Sequence, residues 1–342
     1  MRRALAAVAL ALGLVMTGPA RATDMQVLSF DDLAGWQADD HAAALDVFVQ
    51  SCDQLDQPGW AALCALAGTV TDARAFFELF FRPVLIGGKN PALFTGYYEP
   101  ELQGSPVRTP NFAYPIYRRP PEVVSGTQWL TREEIETGNH LRGRGLEIAW
   151  LGDPVDVFFL QVQGSGRIRL TDGTVVRVGF DGRNGHPYRS IGKELVRRGV
   201  FAAEQVSARV IQTWVRDNPG DGQQLLWHNP SYIFFRELRG IGADKGPIGA
   251  MGRSITPLRT IAVDPGFTPL GAPVWIEKAG VDPMRRLMIA QDTGGAITGA
   301  QRGDIYYGTG AEAGQIAGRI RDGGRMVVLL PIDLAYAQAS VD

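Results

Sequence analysis

The chain has 342 residues, 34 Lys and Arg against 36 Asp and Glu, 45% hydrophobic and 20% charged. That is enough apolar material for the cores of about two domains, which excludes a largely disordered chain. A net charge of −2 excludes a nucleic-acid binder working through a basic face.

Residues 1–22 are expected to be a secretory signal cut after Ala22: Arg2 and Arg3, an uncharged apolar run over 4–16, then the small-residue site Ala20-Arg21-Ala22. The run falls short of the ~20 residues a span needs, and no later stretch of the sequence is apolar enough for one. No Cys stands near the cleavage site to carry a lipid. The mature chain is therefore expected to be exported and periplasmic, without a transmembrane or lipid anchor. Cys52 and Cys64 fall in this exported part, where disulfides persist. They can close a short loop that clamps two helices, or remain two buried thiols.

Residues 24–84 are predicted to be helical, rich in Ala, Leu and Val over 42–49 and 60–66. Asp72 caps a last helix that carries Phe76, Phe77, Phe80 and Phe81 as core and ends before Pro83. Alternation over 156–163 predicts a strand, with Gln161 and Gln163 on one face and Gly164, Ser165 and Gly166 turning the chain. Two strands, 167–170 and 174–180, flank Asp172-Gly173 as a hairpin. Helices follow over 188–199 and 206–217, the second closed by Asn218-Pro219-Gly220. Short strands then recur at 259–263, 274–277, 287–291 and 326–330, with one helix near 311–321. The 42 glycines fit such a turn-rich, mainly β body. No repeat or low-complexity linker separates the parts, so one domain is expected to be inserted in the other.

Two aspartates, Asp292 and Asp304, each stand where an apolar strand meets a glycine turn. A carboxyl there can sit on a cleft floor, desolvated and with a raised pKa, as a general acid requires. It can equally do no more than hydrogen-bond turn amides. Asp292-Thr293-Gly294 resembles one half of an aspartic protease site, which needs two such segments; Arg302-Gly303-Asp304 spells an adhesion tripeptide on three residues alone. Thr95, Tyr97, Tyr98 and Glu99 offer hydroxyls, rings and a carboxylate. Gln161 and Gln163, beside Ser165, offer amides suited to sugar hydroxyls and acetamido groups, or form only the solvated face of a strand. His186 has no Ser or Cys signature near it and reads as structural. Two Cys and four scattered His lack metal-ligand spacing, and no phosphate loop is present, so no cofactor or metal is expected.

Five segments together resemble the membrane-bound lytic murein transglycosylase A family: 95–100, 115–120, 161–166, 229–232 and 264–308. The last is similar to the 3D domain, named for three aspartates, here Asp264, Asp292 and Asp304. The resemblance implies a mainly β fold with N-terminal helices. A double-psi β-barrel catalytic domain would come from 23–100 plus 238–342. A β-rich substrate-binding domain would be inserted at 101–237, with a groove between the two. It implies cleavage of the β-1,4 bond between N-acetylmuramic acid and N-acetylglucosamine, leaving 1,6-anhydro ends. By matched position Asp304 is the catalytic acid and Asp292 its supporting carboxylate. Asp264 holds a turn, and Thr95, Tyr97, Tyr98, Gln161, Gln163, Gly164 and Ser165 line the groove. Peptidoglycan glycan strands are the expected partner of a monomer. Relatives are often lipoproteins, and the missing signal Cys sets this chain apart. A hydrolase on the same barrel and a non-catalytic, expansin-like wall-binding module are the competing readings.

Overall fold

In the computed structural model, which describes residues 24–55, 59–88 and 90–339, the N-terminal part is less helical than expected. Strand β1 (Met25–Val27) precedes α1 (His41–Ser51), α2 (Trp60–Ala67) and α3 (Ala73–Phe80), which lead into β2 (Phe81–Ile86) and β3 (Ala92–Glu99). Asp40 and Asp72 cap α1 and α3 by accepting from Ala43 and Ala75 N–H. Helix α3 ends at Phe80, and Pro83, expected to stop it, lies within β2. The phenylalanine stripe is core: Phe48 of α1 stands 6.0–6.3 Å from the rings of Phe76, Phe77 and Phe81. Cys52 and Cys64 form a disulfide that ties the end of α1 to α2. Replacing both by Ser is expected to cost about 2–3 kcal/mol of unfolding free energy, because a 12-residue separation sets the loop entropy released; denaturant titration of the double variant reads it. The signal segment 1–22 lies outside the described residues. Among those described, no helix is long and apolar enough to cross a membrane.

From Glu99 the chain passes through Pro100 into a second sheet. Its elements are β4 (Glu101–Ser105), β5 (Tyr114–Tyr117), α4 (Arg132–Thr137), β6 (Glu147–Leu151), α5 (Pro154–Gln163), β7 (Ser165–Leu170), β8 (Val175–Arg183), α6 (Ile191–Arg197), α7 (Ala208–Asp217), α8 (Pro219–His228) and β9 (Ile233–Glu237). The six strands run in the order β5-β6-β4-β7-β8-β9. The Asp172-Gly173 hairpin forms between β7 and β8 as predicted.

One expectation fails here, and one helix was not foreseen. Residues 156–163 are not a strand but most of α5: Asp153 accepts from Val155 N–H, Pro154 occupies the first helical turn, and Gly164 ends the helix at φ 78°. The segment imitates alternation because α5 is buried on two sides. Val157 and Leu160 pack on the sheet while Val155 and Phe158 pack on α6, α7 and α8. Asn218-Pro219-Gly220 also does not merely close α7; Pro219 opens α8, which the pattern missed.

The last third supplies β10 (Thr260–Val263), β11 (Pro273–Lys278), β12 (Met284–Asp292), β13 (Arg302–Thr309), α9 (Gly310–Ala317), β14 (Arg321–Pro331) and α10 (Ile332–Ala339). Strands β14, β11, β12, β10, β13 and β3 pair in that order, and β3 pairs back onto β14, so six strands close a ring. Phe94, Ile261, Val263, Ile276, Met288 and Ile305 fill its interior. Closure leaves no free edge on these six strands. The N-terminal helices cover the outside of β11, β12 and β14.

Candidate active site

Alternation dictates which side chains leave the barrel. Phe94, Ile261 and Ile305 point inward, so Thr95, Ala262 and Asp304 point outward. Register then aligns them: Asp304 stands opposite Thr95 on one side and opposite Ala262 on the other. Asp292 joins the row through a bulge. Ile261 pairs with Ala290 but Ala262 pairs with Asp292, so Gln291 is an extra residue in β12. By simple alternation from Ala290, Asp292 would face the barrel interior; the bulge turns it outward. Gln291 is anchored away from the row by Thr260 and by Ser51 of α1. The result is a line, Thr95–Asp304–Ala262–Asp292, across four neighbouring strands. The two carboxylates are two strands apart, about 10 Å between backbones, with Ala262 on the strand between them.

The two carboxyls have different surroundings. Asp292 accepts three hydrogen bonds: Ala250 N–H at 3.0 Å, Thr293 N–H at 2.9 Å and the Tyr97 hydroxyl at 2.9 Å. Burial nevertheless pushes its pKa up to about 6; the Thr293, Tyr97 and Ala250 donors oppose the rise and the charge of Asp304 adds to it. Asp304 accepts one hydrogen bond, from Thr95 Oγ1 at 2.5 Å. Burial raises it too, against the pull of the Thr95 hydroxyl and the Arg302 charge. Arg302 donates to Thr95 Oγ1 at 2.8 Å and to the carbonyls of Leu93 and Gly303, which fixes the hydroxyl's direction toward Asp304. Burial and the neighbouring Asp292 hold the Tyr97 phenol well above its ordinary pKa, so it stays a donor. Tyr306 packs beside Tyr97 at 5.3 Å between ring centres.

The other expected site residues separate into groups. Tyr98 lies on the opposite face of β3, its ring against Gly314 of α9, and its N–H donates to Gln163 Oε1 at 3.0 Å. Gln161 does not share a face with Gln163, because the segment is helical. It is buried and accepts from Arg132, whose guanidinium also stacks 4.6 Å from the Phe158 ring. Gly164 is the left-handed cap of α5, and Ser165 is buried at the start of β7 opposite Gly179. Asp264 accepts from Gly266 N–H at 3.0 Å and Gly299 N–H at 2.7 Å, joining two loops. His186 bonds the Trp129 carbonyl at 2.7 Å. Across from the row, Arg183 at the end of β8 reaches the Gly294–Gly295 turn, where a side chain on Gly295 would meet its guanidinium.

Arg302, Tyr306, Ala262 and the Ala250 amide were not foreseen. For Arg302 and Tyr306 a signal existed: positions 302, 304 and 306 alternate with Gly303 and Ile305 and therefore share a face. Ala250 gives no signal, since any residue but proline has an N–H.

The MltA specific insert domain matches residues 93–236 and the 3D domain matches 259–330. Membrane-bound lytic murein transglycosylase A of Escherichia coli K12 is 37% identical over 244 residues, 69% of this chain and 65% of that relative's length. A crystal structure of a membrane-bound lytic murein transglycosylase from Agrobacterium tumefaciens superposes with a TM-score of 0.83 at 34% identity, covering 92% of this chain and 99% of that one. The E. coli MltA structure with bound chitohexaose gives 0.73 at 29% identity, covering 90% and 94%.

Proposed function

The chain belongs to the membrane-bound lytic murein transglycosylase A family, and from that footing we propose that it cleaves peptidoglycan glycan strands without water, breaking the β-1,4 bond between N-acetylmuramic acid and N-acetylglucosamine and leaving 1,6-anhydro-muramoyl ends. The observation that carries the reading is the outward row Thr95–Asp304–Ala262–Asp292. A hydrolase divides acid, base and nucleophile work between two carboxylates. When the substrate's own C6 hydroxyl attacks C1, one carboxyl suffices. Asp304 gives its proton to the glycosidic oxygen as the C1–O bond breaks. The C6 oxygen then bonds to C1, and its proton returns to Asp304. The nucleophile is already held in the same sugar, so no water need be bound or activated.

Donor count supports the division of roles. Asp292, with three donors, is held in place to face the positive charge that develops on the sugar ring; Asp304, with one, is left free to give and take a proton. Residues 23–100 plus 238–342 form the catalytic domain, and its closed ring with parallel β3–β13 and β10–β12 pairs fits a double-psi barrel. Residues 101–237 form the inserted substrate-binding domain. The glycan lies in a groove between them, where Arg183 approaches the turn after Asp292. The exported chain acts in the periplasm as a monomer.

Incubating the chain with purified peptidoglycan and weighing the soluble products tests this. Muropeptides lighter by one water and lacking a reducible end are expected. Reducible ends would make it a hydrolase, and binding without release a wall-binding module.

A further inference from the structure

Glu99, the last residue of β3, is fully buried, yet it carries a carboxylate. Its Oε2 accepts from Arg167 Nε and Thr309 Oγ1, both at 2.8 Å, and its Oε1 accepts from the Arg177 guanidinium at 2.9 Å. Arg167 and Arg177 stand opposite one another on β7 and β8, so this one carboxylate joins the barrel to the second sheet. Both guanidiniums then continue to a third element. Arg167 donates to the carbonyls of Ala243 and Lys245, and Arg177 to those of Gly242 and Lys245, at 2.8–3.1 Å.

The segment held in this way runs directly to the site. Gly246 packs so closely on the Ile255 carbonyl that a side chain there would clash, and a side chain on Gly249 would run into the Ile255 side chain and the Gln291 carbonyl. Met251 N–H donates to the Gln291 carbonyl, and Ala250 N–H to Asp292 Oδ1. A second path leaves Glu99 through Thr309, whose hydroxyl is 3.3 Å from the Tyr306 hydroxyl. Tyr306 packs on Tyr97, which donates to Asp292 Oδ2. The two paths end on the two oxygens of one carboxylate.

We propose that Glu99 is a positioning residue for Asp292: with Arg167 and Arg177 it fixes the 242–250 segment and the Tyr306–Tyr97 pair, so that both Asp292 oxygens keep their donors when the two sheets close on a glycan. This rests on the transglycosylase reading above. The charged and titratable groups acting on Asp292 are Tyr97 from β3 and Asp304 from β13. Those facing Glu99 are Arg167 from β7 and Arg177 from β8, with Tyr306 one hydroxyl away on β13.

Glu99→Gln keeps the shape but must turn an NH2 toward a guanidinium, which breaks one arm of the clasp. The expected result is a turnover number about tenfold lower at pH 7 with KM changed less than about twofold. The acid limb of the pH profile moves up by about half a pH unit, because an anion that loses a donor is harder to form. Thr309→Val should show a smaller shift of the same sign, and Thr309→Ser none. An unchanged profile and turnover in a Glu99→Gln variant that merely melts earlier would reduce Glu99 to a structural tie and overturn the proposal. If Glu99→Gln does not fold, Arg177→Lys, which keeps the charge but loses the fork, is read against the same profile, and an unmoved acid limb there overturns it equally. A wild-type chain that releases no anhydro ends would instead refute the transglycosylase reading.

Discussion

Asp304→Asn is expected to abolish release of anhydro-muropeptides, a loss of about a thousandfold or more, while the folded chain still binds sacculi. Asn has the shape of the carboxyl and can still accept from the Thr95 hydroxyl, so the row stays in place. What it lacks is the proton. A glycosidic oxygen is a poor leaving group unless it is protonated as the bond breaks, and among the described residues the other carboxyl of the row, Asp292, is two strands away across Ala262. Loss of a buried, partly desolvated carboxylate should leave thermal stability no lower than that of the parent. Turnover within about tenfold of wild type would remove Asp304 from the acid role. Loss of sacculus binding together with activity would show that the substitution had damaged the groove rather than the chemistry. The readout is product mass spectrometry together with a co-sedimentation assay.

How far the site could be read from residues alone follows from the range of each interaction. The Asp172-Gly173 hairpin depends on four neighbouring residues and was legible. The Asp72 cap and the aromatic core of α3 were legible for the same reason. Helix α5 carries its start and stop signals, Asp153-Pro154 and Gly164, in the sequence, yet its apolar pattern reads as a strand. A helix buried on two sides carries no single apolar stripe, so period 2 and period 3.6 both fit. That error placed Gln161 and Gln163 on one face, whereas one holds Arg132 and the other holds Tyr98 N–H. Barrel closure was not locally legible, because β3 pairs with β13 across about two hundred residues. The two aspartates were marked by their glycine turns, but the bulge that turns Asp292 outward exists only in the pairing of β12 with β10. Parity along β3 puts the ring of Tyr98 on the face opposite Thr95 and Tyr97, and that parity is available from the spacing alone.

Asp292→Asn is expected to lower turnover by about ten- to a hundredfold and to flatten the acid limb of the pH profile. The argument starts from its pKa of about 6. If Asp292 works as the anion beside a protonated Asp304, wild-type turnover must fall as pH drops through about 6, because the anion is then neutralised. The Asn variant has no such group and keeps its low rate through that range. Stability should respond in the opposite sense. In the unfolded chain Asp292 titrates near its ordinary value of 3.8. Between that value and about 6 the folded chain binds the extra proton, so stability falls as pH rises through this window and the deficit persists above it. Replacing the carboxyl removes the deficit, and the variant should gain on the order of 3 kcal/mol over wild type at pH 8 and little or nothing at pH 4. Thermal unfolding of both chains at the two pH values reads this directly. Equal stabilities at pH 8 with a persisting acid limb in the variant would show that another group carries the titration, and would leave Asp292 as no more than an acceptor for the Ala250 and Thr293 amides.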